Sequence, residues 1–167
     1  FPNLPYIIDG NVKITQSWAI YKYLGRKLGL MPNTDNKICQ AEILEGEIRD
    51  LRTLNYSFYS PDLYEKQKEI KERQETKIEY LEKYFQGKNF VLGDDISYLD
   101  FSLFETLDHH RLFFADIFDK SPNIQAYMKR FESLEKLAKY FNSEKYKKFP
   151  ISGPMAIWGG KDYDDRK

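Results

Sequence analysis

Hydrophobic residues alternate in a strand-like way only near the start of the chain. Residues 5–15, PYIIDGNVKIT, hold two short β-prone runs around Asp9-Gly10-Asn11, and Asp-Gly is a strong hairpin signal. We therefore predict one β-hairpin. A helix capped by Ser17 and stopped by Gly29 should follow, because apolar residues recur with the helical period at Ile20, Tyr23, Leu24 and Leu28.

From residue 36 onward the apolar residues keep a helical period. A core-facing helix is predicted up to Pro61, with apolar positions at Ile38, Ile43, Leu44, Ile48, Leu51 and Leu54. A second helix, rich in charge, is predicted from Asp62 to Gly87. Its charged faces suit solvent, and its narrower apolar stripe consists of Ile70, Ile78, Leu81 and Phe85.

A third helix is predicted to be the central buried one. Ser97 is followed three residues later by Asp100, a variant of the capping box, and the residues after it are apolar on nearly every face. One shorter helix starts at Pro122, and another carries Leu134, Leu137 and Tyr140. The last segment has two prolines and a glycine pair, so we expect it to lie over the surface and to end in disorder.

These elements predict an α+β chain of unequal parts. Residues 1–30 form a hairpin and one helix, residues 31–35 a linker, residues 36–148 an all-helical domain, and residues 149–167 a tail. A hairpin with a single helix cannot bury both faces of its strands. We therefore expect further chain before Phe1.

Composition limits the possible functions. Of the 167 residues 41% are hydrophobic and 16% aromatic, which disfavours disorder. The 26 basic and 26 acidic residues balance, so global charge indicates neither nucleic acid nor an anionic membrane as partner. A single cysteine, Cys39, allows no internal disulfide, and no apolar run approaches the roughly 20 residues that span a bilayer. A cytoplasmic location is predicted.

Several longer stretches resemble cytosolic glutathione transferases, most closely the mu class and its parasite and mite relatives. They are FPNLPYIIDG, KITQSWAI, ILEGEIRD, ISYLDF, LDHHR and FPISGPMAIWG, so the resemblance covers essentially the whole chain. It implies the C-terminal portion of a thioredoxin-like domain followed by an all-α domain. It also implies a detoxifying homodimer that transfers glutathione, a co-substrate rather than a cofactor, to hydrophobic electrophiles.

The resemblance implies five glutathione contacts near the start. A cis bond between Leu4 and Pro5 would let Leu4 pair its backbone with the cysteinyl unit, and Asn3 would add a polar contact. Gln16 and Ser17 would hold the γ-glutamyl carboxylate at a helix N-terminus, which favours anions. The alternative is that Leu-Pro only begins a strand and that Ser17 is only a helix cap.

Two further residues are implied to act across a dimer. Asp50 would reach the amino group of glutathione in the neighbouring subunit, although a carboxylate on a charged helix is ordinarily just solvated. Phe1 would insert into an apolar pocket between helices of the partner subunit. Trp18 matches a variable position and receives no role.

The resemblance places the electrophile pocket at Arg52, Thr53, Tyr59, Ile151 and Ser152. Tyr59 is the candidate catalytic residue within the chain, as an assisting acid that donates a hydrogen bond to a developing anion. The alternative is a core or surface aromatic, since the chain has 13 tyrosines.

Other reactive residues are predicted to be structural. His109 and His110 are adjacent on a helix, so their side chains diverge by about 100° and cannot hold one metal; no metal site is predicted. Cys39 is predicted to be a small apolar residue.

The tyrosine that lowers the pKa of the glutathione thiol in the mu class would precede Phe1. We therefore expect the parent protein to be a transferase and the chain itself to have at most trace activity. The alternative is a non-enzymatic relative that binds ligands or acts as a scaffold.

Overall fold

The computed structural model describes residues 1–161. It has an α+β fold with a two-stranded sheet and seven helices in this part of the chain. Its elements are β1 Tyr6–Asp9, β2 Val12–Thr15, α1 Ser17–Lys27, α2 Asp35–Leu51, α3 Thr53–Ser57, α4 Gln67–Tyr84, α5 Tyr98–Phe113, α6 Pro122–Ser133 and α7 Glu135–Phe141. None of the helices within residues 1–161 is both long and apolar enough to cross a lipid bilayer.

The hairpin forms as predicted. β1 and β2 pair antiparallel with Tyr6 opposite Thr15, and Gly10 takes a φ of 60° at the turn. A positive φ at this position is easily adopted by glycine and explains why the chain reverses there.

The prediction for the start of α1 is wrong by one residue. Gln16 is the N-cap and Ser17 is the first helical residue, with no side-chain cap hydrogen bond. The end of the helix follows the prediction, because Gly29 has a φ of 71° and Leu30 N donates to Gly25 O at 2.8 Å. This is the Schellman arrangement that closes a helix with a left-handed glycine.

The long helix predicted up to Pro61 is interrupted. It divides at Arg52 into α2 and α3, and the charged helix predicted from Asp62 begins only at Gln67, after a run of turns. Two of the apolar positions assigned to the core are also outside it, since Ile38 is 39% and Ile43 67% exposed. The apolar period of α2 therefore marks two faces, one towards the core and one towards solvent.

Helix α5 is the central helix, as predicted, and both α1 and α2 pack against it. Its start is fixed by Asp100, which is fully buried. One carboxylate oxygen accepts from Ser97 N at 2.7 Å and the other from Val91 N at 2.8 Å. Burial raises the pKa of Asp100 in spite of these donors. One side chain thus joins the preceding loop to the first turn of α5.

The two histidines are structural, as predicted. The ring of His110 is fully buried and lies 2.7 Å from Thr106 O and 3.1 Å from Gln74 Oε1, so it links α5 to α4. Burial lowers the pKa of His110 to about 4, which keeps the ring neutral near pH 7. His109 contacts Asn55 at 3.1 Å. Cys39 is a free, exposed cysteine.

Most of residues 149–161 are exposed or partly exposed, but the segment is anchored by a buried side chain that the sequence did not predict. Trp158 is completely buried and its ring lies 4.6 Å from that of Phe58 and 4.9 Å from that of Phe113, centroid to centroid. The backbone is tied down as well, since Ile157 N donates to Phe58 O at 2.7 Å. The disorder predicted at the end concerns residues 162–167, which lie outside the described residues.

Helix α1 meets the central helix at a glycine. A Cβ at Gly25 would lie 2.9 Å from Met31 Sδ and 3.1 Å from Tyr98 Cβ, closer than ordinary van der Waals contact. Tyr98 is the first residue of α5. The missing side chain of Gly25 therefore lets the segment that follows the hairpin lie directly on the helical part of the protein.

We predict that Gly25→Ala is less stable than Gly46→Ala by about 1–3 kcal/mol, the usual cost of overpacking. Both glycines are inside helices, so both substitutions gain similar helix propensity, but a Cβ at Gly46 meets nothing within 4 Å. Urea denaturation of the two variants measures the difference. Equal stabilities would show that Gly25 is not a packing requirement.

Candidate functional site

A cavity of about 580 Å³ lies between the start of α1 and the wall formed by the end of α2 and α3. From α1 and its cap it receives Gln16, Ser17, Trp18, Ala19 and Tyr21, and from the opposite wall Arg49, Arg52 and Tyr56. Three of the predicted site residues, Gln16, Ser17 and Arg52, are therefore brought together in one cavity.

The α1 side of the cavity presents backbone donors. The first helical hydrogen bond of α1 runs from Ile20 N to Gln16 O at 3.0 Å, so the preceding amides of the first turn have no partner within the helix. Gln16 has a φ of 75°, the only positive φ among the non-glycine residues of the described chain. Such a conformation is costly for a residue with a side chain and is typical of functional sites. A helix start of this kind attracts anions.

The opposite wall carries two guanidinium groups, each with a carboxylate partner. Arg52 contacts Glu105 at 3.2 Å and Ser102 at 3.3 Å. Arg49 contacts Glu45 at 2.8 Å, and its guanidinium lies 5.4 Å from the ring centroid of Trp18, a cation–π geometry. Both arginines thus line the wall opposite α1, and Arg49 also contacts Trp18 on α1.

Five lining residues were not predicted from the sequence, namely Trp18, Ala19, Tyr21, Arg49 and Tyr56. Four of them have longer side chains. Their spacing contained the signal, because Trp18 and Tyr21 are three apart on α1, while Arg49, Arg52 and Tyr56 follow one another at three and four residues. The hydroxyl of Tyr21 lies 3.3 Å from Glu105, and burial, followed by the charge of Glu105, raises the pKa of Tyr21.

The residues before β1 form a separate exposed loop. The Leu4–Pro5 peptide bond is cis, as the resemblance implied. Leu4 N donates to Asn3 Oδ1 at 2.8 Å, and the Thr15 hydroxyl donates to Asn3 O at 3.0 Å and Pro5 O at 3.2 Å. The loop is therefore held against β2, while the Leu4 side chain stays exposed.

The residues predicted for the electrophile pocket do not all meet. Arg52 faces the cavity at α1, whereas Tyr59 contacts the C-terminal segment, where its hydroxyl accepts from Gly153 N at 2.7 Å. In that segment Ile151 N and Ser152 N both donate to Gly159 O at 2.9 Å. The hydroxyl of Thr53 bonds back to the carbonyl of Asp50. Tyr59 thus contacts the segment that holds the predicted tail residues, whereas Arg52 lines the cavity at α1.

The two residues predicted to act across a dimer are on the surface. The side chain of Asp50 is 61% exposed, and its carboxylate lies 2.9 Å from Lys77 Nζ. Phe1 is fully exposed. Neither residue lines the cavity at α1. Within residues 1–161 no cluster of three histidine, cysteine or carboxylate side chains could hold a metal ion.

Known proteins are similar to this chain over almost its whole length. A profile described as the C-terminal domain of glutathione S-transferase matches residues 49–144. A glutathione S-transferase of Mesocricetus auratus and glutathione S-transferase Mu 2 of Rattus norvegicus are each 38% identical over 162 residues, which is 96% of this chain and 74% of the relative. The human Mu 3 protein is 36% identical, with 72% of its length covered.

Solved structures agree with these relatives. The glutathione S-transferase Blo t 8 superimposes with a TM-score of 0.89 at 37% identity, covering 95% of this chain and 77% of that one. A pi-class glutathione S-transferase of Onchocerca volvulus has a TM-score of 0.81 at 28% identity, with coverages of 92% and 76%. Both sequence and structure therefore point to one family. The chain belongs to the glutathione S-transferases, as a mu-class or mu-like member.

Proposed function

We propose that this protein acts as a glutathione transferase and that the start of α1 binds the γ-glutamyl carboxylate of glutathione. The observation that carries the proposal is the positive φ of Gln16 beside Ser17 at the head of α1. This strained cap lies at the cavity, which Gln16 and Ser17 both line, and the first-turn amides of α1 have no partner within the helix. The relatives are named as transferases, which favours the enzyme over a non-enzymatic ligand-binding protein.

The loop of Asn3, Leu4 and Pro5 is proposed to bind the rest of the peptide. An exposed backbone beside a strand can pair with an extended peptide as an added strand would. In the structure the Asn3 side chain accepts from Leu4 N. Pairing with glutathione would therefore exchange this internal bond for one to the ligand. Glutathione is a co-substrate here, and no separate cofactor is proposed.

The second substrate is proposed to be a hydrophobic electrophile that lies near Tyr59 and the C-terminal segment. The Tyr59 hydroxyl oxygen accepts from Gly153 N, which leaves the phenolic proton available to donate to a developing anion. Thr53, Ile151 and Ser152 are proposed to shape this side of the pocket, and Arg52 the side towards Gln16. A cytoplasmic location, in keeping with the single cysteine, is part of the proposal.

A second copy of this chain is the proposed partner. An apolar groove of about 260 Å³ between α2 and α4, here called the α2–α4 groove, is lined by Gln40, Ile43, Leu44, Glu47, Leu51, Lys77, Tyr80, Leu81 and Tyr84. Phe1 is fully exposed and Ile43 and Tyr80 are largely exposed. Insertion of Phe1 into this groove of the other subunit would bury both surfaces.

Ser17→Ala is expected to weaken glutathione binding about tenfold, the scale of one hydrogen bond to a charged group. Isothermal titration calorimetry measures the dissociation constant. The control is Ser133→Ala, which should leave binding unchanged, since the Ser133 hydroxyl bonds the Arg130 carbonyl on α6. An unaltered dissociation constant for Ser17→Ala would argue against the carboxylate site.

Phe1→Ala is expected to raise the dimer dissociation constant about tenfold or more, because an aromatic side chain would no longer be buried. Tyr80→Glu, in the α2–α4 groove, should do the same from the other side of the contact. Sedimentation equilibrium checks both, with Met155→Glu as an exposed apolar control. A monomeric parent chain, or a Phe1→Ala variant that dimerises normally, would contradict the proposal.

Tyr59→Phe is expected to speed amide hydrogen exchange at Gly153 about two- to tenfold, because one hydrogen bond of ordinary strength is lost. Affinity for glutathione should stay unchanged. Tyr56→Phe is the matched control, since Tyr56 lines the cavity at α1 instead. If the exchange rate of the Gly153 amide does not change in Tyr59→Phe, the hydrogen bond between Tyr59 and Gly153 is contradicted.

A further inference from the structure

Lys77 forms an ion pair with a residue that has another proposed partner. It is on α4, and its ammonium nitrogen lies 2.9 Å from Oδ2 of Asp50 on α2. The Lys77 side chain is 28% exposed and that of Asp50 61%. The resemblance to glutathione transferases implies that the same carboxylate reaches the amino group of glutathione in the neighbouring subunit, and this contact is taken here as part of the proposed function. Two ammonium groups would then have the same acceptor.

The position of Lys77 connects this carboxylate with the proposed dimer contact. Lys77 lines the α2–α4 groove, while its charged end reaches Asp50. Such an arrangement is common for lysine, whose aliphatic stem can follow apolar surface with the charge in water. Another lysine on α4, Lys71, is directed elsewhere and pairs with Asp116 at 2.6 Å.

We propose that Lys77 competes with the α-amino group of glutathione for Asp50 and so lowers the affinity of the protein for glutathione. The inference rests on the proposed function, and specifically on the role of Asp50. A carboxylate that already has an ammonium group in contact attracts a second one less, because the two cations repel each other. Lys77 is thus a residue that tunes affinity without itself contacting the thiol.

The size of the effect follows from the exposure of the pair. Ion pairs between exposed side chains are worth little, because water and salt screen them. Removal of the competitor should therefore tighten glutathione binding by about two- to fivefold at low ionic strength, and by less at high salt.

The test compares Lys77→Met with the unsubstituted 167-residue chain, using two ligands in calorimetric titrations. One ligand is glutathione and the other is its analogue with hydrogen in place of the α-amino group. Lys77→Met is expected to bind glutathione two- to fivefold more tightly, with binding of the analogue unchanged or weaker, because the analogue has no ammonium group to compete. Lys77→Arg should keep the original affinity.

The matched control is Lys68→Met, on the same helix, where the lysine is 90% exposed and 3.9 Å from Glu72; it should change neither titration. Glutathione binding that is unchanged or weaker in Lys77→Met would overturn the inference and indicate that Lys77 has no effect or orients Asp50. Equal tightening for both ligands would also overturn it.

The variant Asp50→Asn distinguishes a failure of the Lys77 inference from a failure of the role proposed for Asp50. If Asp50→Asn leaves glutathione binding unchanged, the role proposed for Asp50 is wrong, and the competition proposed for Lys77 is then wrong as well. If Asp50→Asn weakens binding and Lys77→Met has no effect, the role of Asp50 stands and only the competition is refuted. Loss of the Lys77→Met effect in the Asp50→Asn background would support direct competition, as a double-mutant cycle requires.

Discussion

The buried carboxylate of Asp100 holds the start of the central helix in place, and the rest of the fold is arranged around that helix. The two carboxylate oxygens accept from Val91 N and Ser97 N. The backbone carbonyl of Asp100 accepts from the hydroxyl of Tyr127 on α6 at 3.1 Å. A loss of the carboxylate would leave two buried amides without acceptors, each of which costs about 1–3 kcal/mol. Since α1 and α2 both lie on α5, the walls of the cavity depend on this anchor.

Local sequence signals identified the elements whose structure is decided locally. The Asp9-Gly10 turn, the Ser97 and Asp100 pair and the stop at Gly29 were all predictable, because each uses the chemistry of a few neighbouring residues. The boundary at Arg52 was not, since Arg52 has ordinary helical angles and its side chain is held by Ser102 and Glu105 on another helix. The burial of Trp158 was not predictable either, because it depends on long-range contacts with Phe58 and Phe113, while the prolines and glycines around it indicated only an irregular segment.

The candidate site was predictable only in part, because its surroundings also depend on contacts between distant parts of the chain. Gln16, Ser17 and the Leu4–Pro5 loop were found by resemblance, which carries positions without geometry. Their surroundings depend on how α1 meets α2, so Trp18 and Arg49 appeared only in the structure. The exposure of Ile43 is a further case: a periodic apolar pattern reveals that a residue faces some apolar surface, but it does not distinguish the core from a groove.

The hydrogen bond from Leu4 N to Asn3 Oδ1 has a thermodynamic consequence for ligand capture. Leu4 N already has an acceptor in Asn3 Oδ1, so in the proposed complex pairing with a peptide would exchange one neutral hydrogen bond for another and would change the free energy little. Discrimination between ligands then moves away from the loop to the charged end at α1, where amides and hydroxyl would meet an anion. In the proposed complex the loop would set the alignment of the peptide, and the helix start would supply most of the attraction.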